Sequence, residues 1–317
     1  MVLYQFKKII YTDIMFDLIS IGSISIDLYF QGKSLTQTKD RFNLAVGGKY
    51  SADHFFSGLG GGGANVAIGV ARHRKSVAVI GKIGNNQFKT MVLKHLAEHN
   101  ISNKLCTFKD GYMKISSILL STTSGERTII HYETPHEHIF DEESEISKLK
   151  EAKFAYFSNL AHVSLEERNR VMSYLNKNFI PFAINLGILD CRRPGAQLEP
   201  LLEKLSVLIL NTHEFSELVK IPYTKLNFKE DLRRHIPQLR DKILVVTDGE
   251  KGSTSYFDDE ILHINALKAK RVVDTTGAGD AYTAGFLSGY MKDQNIPAAM
   301  QLGAKYALRI VEKLGAN

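Results

Sequence analysis

The sequence predicts an α/β fold with a mainly parallel central sheet covered by helices on both faces, and a small set of extra strands beside it. Three observations carry this. Short β-branched or apolar runs alternate with longer stretches of helical spacing along most of the chain, the pattern that builds a parallel sheet between helices. Two regions, 27–56 and 114–132, interrupt the alternation with Thr, Ser, Ile and aromatic residues in period-two order, which predicts antiparallel strands outside the main sheet. The C-terminal stretch carries two helical patterns in succession with little strand character between them.

In chain order, residues 17–21 read as a buried strand ending at Gly22, 64–73 as a helix, 77–80 as a strand and 88–98 as a helix with apolar residues at helical spacing. Strands are then predicted at 154–158, 182–185, 207–210 and 243–247, with helices at 165–178, 199–204, 214–219 and 230–236 between them. Helices at 278–291 and 298–313 close the pattern. The run Ser121-Thr122-Thr123-Ser124-Gly125-Glu126 supplies a hairpin turn between alternating apolar flanks. Residues 1–15 read as a leader, with Met15 an alternative initiator, and residues 16–317 as one domain to which 27–56 and 114–132 contribute a lid.

Composition narrows the function. Among 317 residues, 40 Lys+Arg against 34 Asp+Glu leave a net charge of +6, and 44% hydrophobic residues with only 7 Pro exclude a disordered or collagen-like chain. The basic residues hardly cluster, so they predict solvated surface rather than a nucleic-acid face. Cys106 and Cys191 are too few for a disulfide framework or a thiolate metal site, which points to the reducing cytoplasm. No apolar run approaches the ~20 residues that cross a bilayer, so no membrane partner is expected.

The most informative stretch is Val272-Val273-Asp274-Thr275-Thr276-Gly277-Ala278-Gly279-Asp280. A short strand runs into a small-residue turn inside which a helix begins. The free N–H groups and positive dipole end of that helix make an anion site, which Gly277 and Gly279 let a phosphate approach closely. A carboxylate at Asp280 repels such a ligand, unless it takes a proton from an attacking hydroxyl; the plainer alternative is a first-turn residue favoured by the dipole. A second glycine run, Gly60-Gly61-Gly62-Gly63-Ala64-Asn65, opens another helix, and Asn65 offers both a donor and an acceptor to hydroxyl groups. It is not a P-loop, since no Gly-Lys-Ser/Thr follows.

Together these stretches resemble the PfkB/ribokinase family of carbohydrate and nucleoside kinases. The C-terminal signature Asp-Thr-x-Gly-Ala-Gly-Asp is matched in full by residues 274–280, the N-terminal Gly-Gly signature by Gly61, Gly62, Gly63 and Asn65, and an early strand-Gly-x-x-x-x-Asp pattern by Ile21-Gly22 and Asp27. The resemblance implies a ribokinase-like three-layer α/β/α sandwich with a β lid, and an ATP-dependent transfer to a hydroxymethyl group of a sugar. It implies Asp280 as the base, Gly277, Ala278 and Gly279 as the anion hole, and Asp27, Gly61, Gly62, Gly63 and Asn65 as holders of the acceptor hydroxyls. Asn211-Thr212-His213-Glu214 looks like the family's Asn-x-x-Glu motif, which places Glu214 on a magnesium ion through water and Asn211 by the nucleotide. Thr247, Gly249 and Gly252 look like its nucleotide turn.

Weaker features are open. Glu126-Arg127 resembles a Gly-Glu-Arg feature of fructokinase-like members, from which Arg127 would reach the acceptor; a solvated turn is the alternative. Asn159 would face the cleft or sit satisfied in a loop. The spacing of His131, His136 and His138 does not impose a metal site. Gly62 stands where ribokinase-like members often carry Lys. Some relatives bind potassium at a loop matching Asp274 and Thr276, and many pair through the lid, so potassium and a homodimer are further expectations. The expected partner is a sugar or nucleoside. An aromatic wall near Phe42, Phe55 or Phe56 would favour a nucleoside, cations such as Arg72 and Arg127 a phosphosugar, and a sensor without catalysis is the reading from another class.

Overall fold

The computed structural model describes residues 15–39, 41–122 and 127–317. Most of the predicted leader and the tip of the predicted 121–126 turn therefore lie outside the described residues. The main sheet has nine strands in the spatial order β17 (Glu260–Ile264), β16 (Ser253–Phe257), β15 (Ile243–Thr247), β14 (Val207–Asn211), β13 (Phe182–Ile184), β12 (Ala155–Phe157), β1 (Leu18–Ile21), β6 (Val77–Ile80) and β8 (Ile101–Ser102). From β15 to β8 every pairing is parallel, and β16 and β17 add an antiparallel edge.

Helices cover both faces, and the strands show why. Along β14, Val207 and Ile209 join one apolar core while Leu208 and Leu210 join the other, and β15 repeats this with Val245 against Leu244 and Val246. A period of two with both faces apolar is a strand buried between two layers. One layer holds α1 (Gly62–Arg72), α2 (Lys89–Glu98), α7 (Ala278–Asp293) and α8 (Ile296–Val311). The other holds α3 (Leu165–Lys177), α5 (Gly195–Leu202) and α6 (Thr212–Val219), with the single turn α4 (Ile188–Cys191) beside them.

A separate four-stranded sheet has the order β11 (Arg127–Glu133), β10 (Lys114–Ser121), β2 (Ser25–Gly32), β5 (His54–Gly60). Its outer pairs are antiparallel hairpin partners, but β2 and β10 run parallel, with Asp27 beside Ser116. The expectation of antiparallel strands alone fails there because α1, α2 and their strands intervene between β2 and β10, and so long a connection can return the chain in the same direction. Two small pairs, β3 (Gln37–Thr38) with β4 (Arg41–Phe42) and β7 (Lys82–Gly84) with β9 (Thr107–Lys109), complete the strands.

Other differences have local causes. The predicted 230–236 helix is only a 3₁₀ turn, Leu232–His235. Buried Arg233 gathers Asp231 and the carbonyls of Arg240 and Lys242 around its guanidinium, and Pro237 disfavours a helical residue before it. The edge hairpin β16–β17 gave no expectation because its strands are short and partly polar. What matters for the site is the carboxyl end of the main sheet: the first turns of α1 and α7 meet there, and β5 of the small sheet ends at Gly60, just before α1 begins.

Candidate active site

Asp280 lies in the first turn of α7, half-buried, and its Oδ2 accepts a hydrogen bond from Asn65 Nδ2 at 2.8 Å. The two helices whose glycine turns stood out in sequence thus meet through one side-chain pair. Burial raises the Asp280 pKa most strongly, the Asn65 hydrogen bond lowers it, and the charge of Asp27 raises it again, for a net upward shift. The helix end cannot offset this, because a dipole contributes about 0.3–1 kcal/mol, up to ~2, while withdrawing a charge from water costs several. The carboxylate is therefore a stronger proton acceptor than a solvated Asp.

Gly277 caps α7 in the left-handed region, φ 75°, and a Cβ there would come within 2.6 Å of Ala316 Cβ, so no other residue fits. Asp274 ties the turn together: its Oδ1 accepts from Thr276 N at 2.8 Å and Thr276 Oγ1 at 2.6 Å, and its Oδ2 from Gly315 N at 3.2 Å. Ala278 N donates to Thr275 O at a long 3.3 Å, and open space lies beyond Gly279, where a Cβ would meet nothing within 4 Å. First-turn N–H groups have no partner inside the helix, so this opening is suited to an anion.

Asp27, on β2, is 6% exposed and lies against Gly60, where an added Cβ would stand 1.9 Å from Asp27 Oδ2. Ser25 Oγ donates to Asp27 Oδ1 at 3.0 Å, and Ser116 also bonds it; these hydrogen bonds lower a pKa that burial drives upward overall. Gly61 and Gly63 press their backbone onto Ser23 and Gly22, and a Cβ on Gly62 would sit 3.0 Å from Ser158 Cβ and 3.6 Å from Asp280 Oδ1. Position 62 has no room for a side chain without moving Ser158. Asn65 is fixed from behind, since Asn317 Nδ2 donates to Asn65 Oδ1 at 3.2 Å and to Leu59 O at 2.7 Å.

Asn211 and Glu214 form a reciprocal cap at the head of α6, with Glu214 N donating to Asn211 Oδ1 at 2.8 Å and Asn211 N to Glu214 Oε2 at 2.9 Å. Burial lifts the Glu214 pKa to about 7, with the Asn211 and Asn185 hydrogen bonds opposing and the charge of Asp280 adding to the rise. Two carboxylates that disfavour each other's charge fit a divalent cation placed by them, and one that keeps its waters needs few protein ligands. Thr247 is the register partner of Asn211 at the same sheet edge. Gly249 and Gly252 turn the chain beyond it with φ of 51° and 98°, closed by Asp248 N donating to Gly252 O at 2.7 Å.

The remaining candidates divide. Arg127 Nη1 donates to Thr275 Oγ1 at 2.8 Å and stands 3.5 Å from Asp274 Oδ1, so it braces the α7 turn; Glu126 lies outside the described residues. Arg72 bonds Tyr306 Oη at 3.2 Å near the far end of α1, away from the glycine turn. Phe56 stacks on Tyr29 at 4.2 Å, Phe55 leans on Phe30 at 5.2 Å, and Phe42 sits in the small β3–β4 pair. Asn159, His131, His136 and His138 line a cavity beside Gly22, and no group of three or more His, Cys, Asp or Glu among the described residues is arranged to hold a metal ion.

The model of the pfkB family carbohydrate kinases matches residues 15–317. The chain belongs to this family. The pfkB kinase is 29% identical over 257 residues to a probable chloroplastic fructokinase of Arabidopsis thaliana, a match covering 77% of this chain and 65% of that relative. It is 27% identical over 312 residues to a nucleoside kinase of Methanocaldococcus jannaschii, covering 93% and 90% of the two chains. An Arabidopsis thaliana ribokinase solved with ribose and ATP shares the fold at a TM-score of 0.78 and 21% identity, over 95% of this chain and 94% of that one. Membership makes the chain an ATP-dependent carbohydrate kinase with a small-molecule acceptor, and kinases of this kind use a divalent metal. No helix among the described residues is long and apolar enough to cross a membrane.

Several site-building residues were not singled out in sequence. Ser25 and Ser116 hold Asp27, and the second could have been found by pairing the two period-two regions. Ser158, whose buried hydroxyl has no partner among the described residues, gave no signal beyond ending a strand.

Two outcomes follow. Gly60→Ala pushes Asp27 aside; on the expectation that Asp27 holds the acceptor, losing a charge-assisted hydrogen bond of about 1.5–3 kcal/mol predicts that acceptor kcat/KM falls about 10–100-fold by steady-state kinetics. Asp280→Asn raises Tm by calorimetry at neutral pH. The sign follows from linkage: a carboxyl whose folded pKa is raised costs stability once pH exceeds its unfolded pKa, and a neutral amide removes that cost. An unchanged or lower Tm would show that Asp280 is not strained by its site.

Proposed function

We propose that this pfkB kinase transfers the γ-phosphoryl group of ATP to a hydroxymethyl oxygen of a sugar, with Asp280 taking the hydroxyl proton. The observation that carries this is the Asn65–Asp280 bond, which holds a carboxylate of raised pKa beside an open helix N-terminus. In this reading Asp27 accepts hydrogen bonds from neighbouring acceptor hydroxyls, Asn65 adds a donor and an acceptor, and the backbone of Gly61, Gly62 and Gly63 lets the sugar approach. The oxygen–hydrogen bond of the acceptor breaks toward Asp280 as the new oxygen–phosphorus bond forms, and ADP leaves with the electron pair of the bond to its β-phosphate oxygen. The N–H groups of Gly277, Ala278 and Gly279 face the charge on the transferring group.

On the nucleotide side, Asn211 and Thr247 sit at one sheet edge where open α/β sheets bind ligands, and the Gly249–Gly252 turn borders it. Magnesium is the cation we assign to Glu214, through water; bound there it would neutralise phosphate charge. Beside Asp274, the positive charge that potassium would supply is met by Arg127. Exposed Ile130 and Tyr132 on β11 support pairing of two copies through the small sheet, and two buried free cysteines suit the cytoplasm. A sugar is favoured over a nucleoside because Phe55 and Phe56 each already pair with a ring of the small sheet, Phe30 and Tyr29.

Asp280→Asn should lower kcat by about 10²–10⁴ through lost proton transfer while ATP still binds; calorimetric binding of ATP together with wild-type turnover would sink the assignment of the base. Glu214→Gln should raise the magnesium concentration for half-maximal rate. In the wild type that concentration should fall as pH rises through about 7, since ionised Glu214 is the form that binds the metal. A flat dependence in magnesium titrations from pH 6 to 8 would remove Glu214 from the metal site.

A further inference from the structure

A cavity of about 210 Å³ lies against Gly22 and Ser23, onto which the glycine turn of α1 packs. Its wall also carries Lys82, Lys114, His131, Glu133 and His162. A chain of side chains links it to Asp27: His131 Nδ1 is 3.2 Å from Ser116 Oγ, and Ser116 bonds Asp27.

Two ammonium groups, Lys82 and Lys114, reach this wall, beside imidazoles that each offer one N–H and one acceptor nitrogen when neutral. Glu133 is its one carboxylate among the described residues, and it is already engaged. It takes Lys114 Nζ at 2.5 Å and Tyr112 Oη at 3.3 Å, with His162 Nε2 at 3.6 Å and the rings of His131 and His136 at 3.8 Å. Although burial raises the Glu133 pKa, Lys114 above all, with His136 and His162, outweighs it and holds the carboxyl below its ordinary value, so Glu133 is engaged by Lys114 rather than awaiting a hydroxyl. Lys82 is 3% exposed and gives one proton to Asp141, which is not part of the wall; its ammonium has three to give, and no second partner exists among the described residues.

A neutral polyol presents a donor with every acceptor, and the one carboxylate of the wall that would receive it most strongly is taken by Lys114. A carboxylate or a phosphate presents acceptors only, and charge-assisted bonds from the Lys82 and Lys114 ammonium groups are the strong ones. We propose that the cavity holds an anionic group, carboxylate or phosphate, carried by the acceptor sugar away from the hydroxymethyl oxygen that is phosphorylated. This rests on the kinase reading and adds the charge of the substrate to it. The cations differ from those expected in sequence, since Arg72 and Arg127 are both committed elsewhere.

The test is steady-state ATP turnover by the full chain with magnesium and three acceptor sets: fructose and ribose, fructose 6-phosphate and ribose 1-phosphate, gluconate and 2-keto-3-deoxygluconate. The expected result is a kcat/KM for one anionic set about 10²-fold or more above the neutral sugars, the two anionic sets separating phosphate from carboxylate. His162→Gln, at a partly exposed position that tolerates change, and Lys82→Met should each cut the anionic-over-neutral ratio about tenfold. Turnover of neutral sugars equal to or above both anionic sets overturns the proposal while leaving the kinase reading intact. An anionic preference that neither substitution reduces overturns the cavity as its cause. If no acceptor draws ATP turnover and calorimetry shows no acceptor binding, the kinase reading fails and the proposal falls with it.

Discussion

The contact between Asn65 and Asp280 is the constraint on which the site depends. It joins the heads of α1 and α7, helices whose sequences begin 216 residues apart in the chain, Gly62 and Ala278. A carboxylate held away from water is costly, and several features share the work of keeping it there. Asn65 gives it one strong donor, Asn317 pins Asn65 from the other side, and the Asp274 turn keeps the head of α7 in shape. Remove the pairing, and no side-chain hydrogen bond among the described residues ties the glycine turn of α1 to the opening at the head of α7.

The same logic explains the distribution of perturbed acids. Asp27, Glu214 and Asp280 all titrate upward because burial outweighs their hydrogen bonds, while Glu133 titrates downward because Lys114 pairs with it. The raised acids have only neutral hydrogen-bond donors as direct partners; the lowered one has an ammonium. These are opposite solutions to burying charge.

Much of this was legible in the chain. The α/β frame followed from apolar periodicity, and strands such as β6 and β15 fall on their predicted bounds because a run of β-branched residues buried on both faces has few alternatives. Residues 274–280 announced a helix head with glycines and an acid, a local pattern. What sequence hid is what depends on pairing across distance: the parallel β2–β10 register that sets Ser116 beside Asp27, and the gathering of His131, Glu133 and His162 around one cavity. The 230–236 segment misled because its apolar spacing says nothing of a buried Arg233 that tightens the chain around itself.

Strand β5 hands the chain to α1 across a single residue, Gly61, with φ 89°. The small sheet and Asn65 are thus joined through a one-residue hinge in the chain. Any change in the tilt of that sheet reaches Asn65 within a few residues of backbone, and through the Asn65–Asp280 bond it reaches the head of α7, 215 positions further along the sequence.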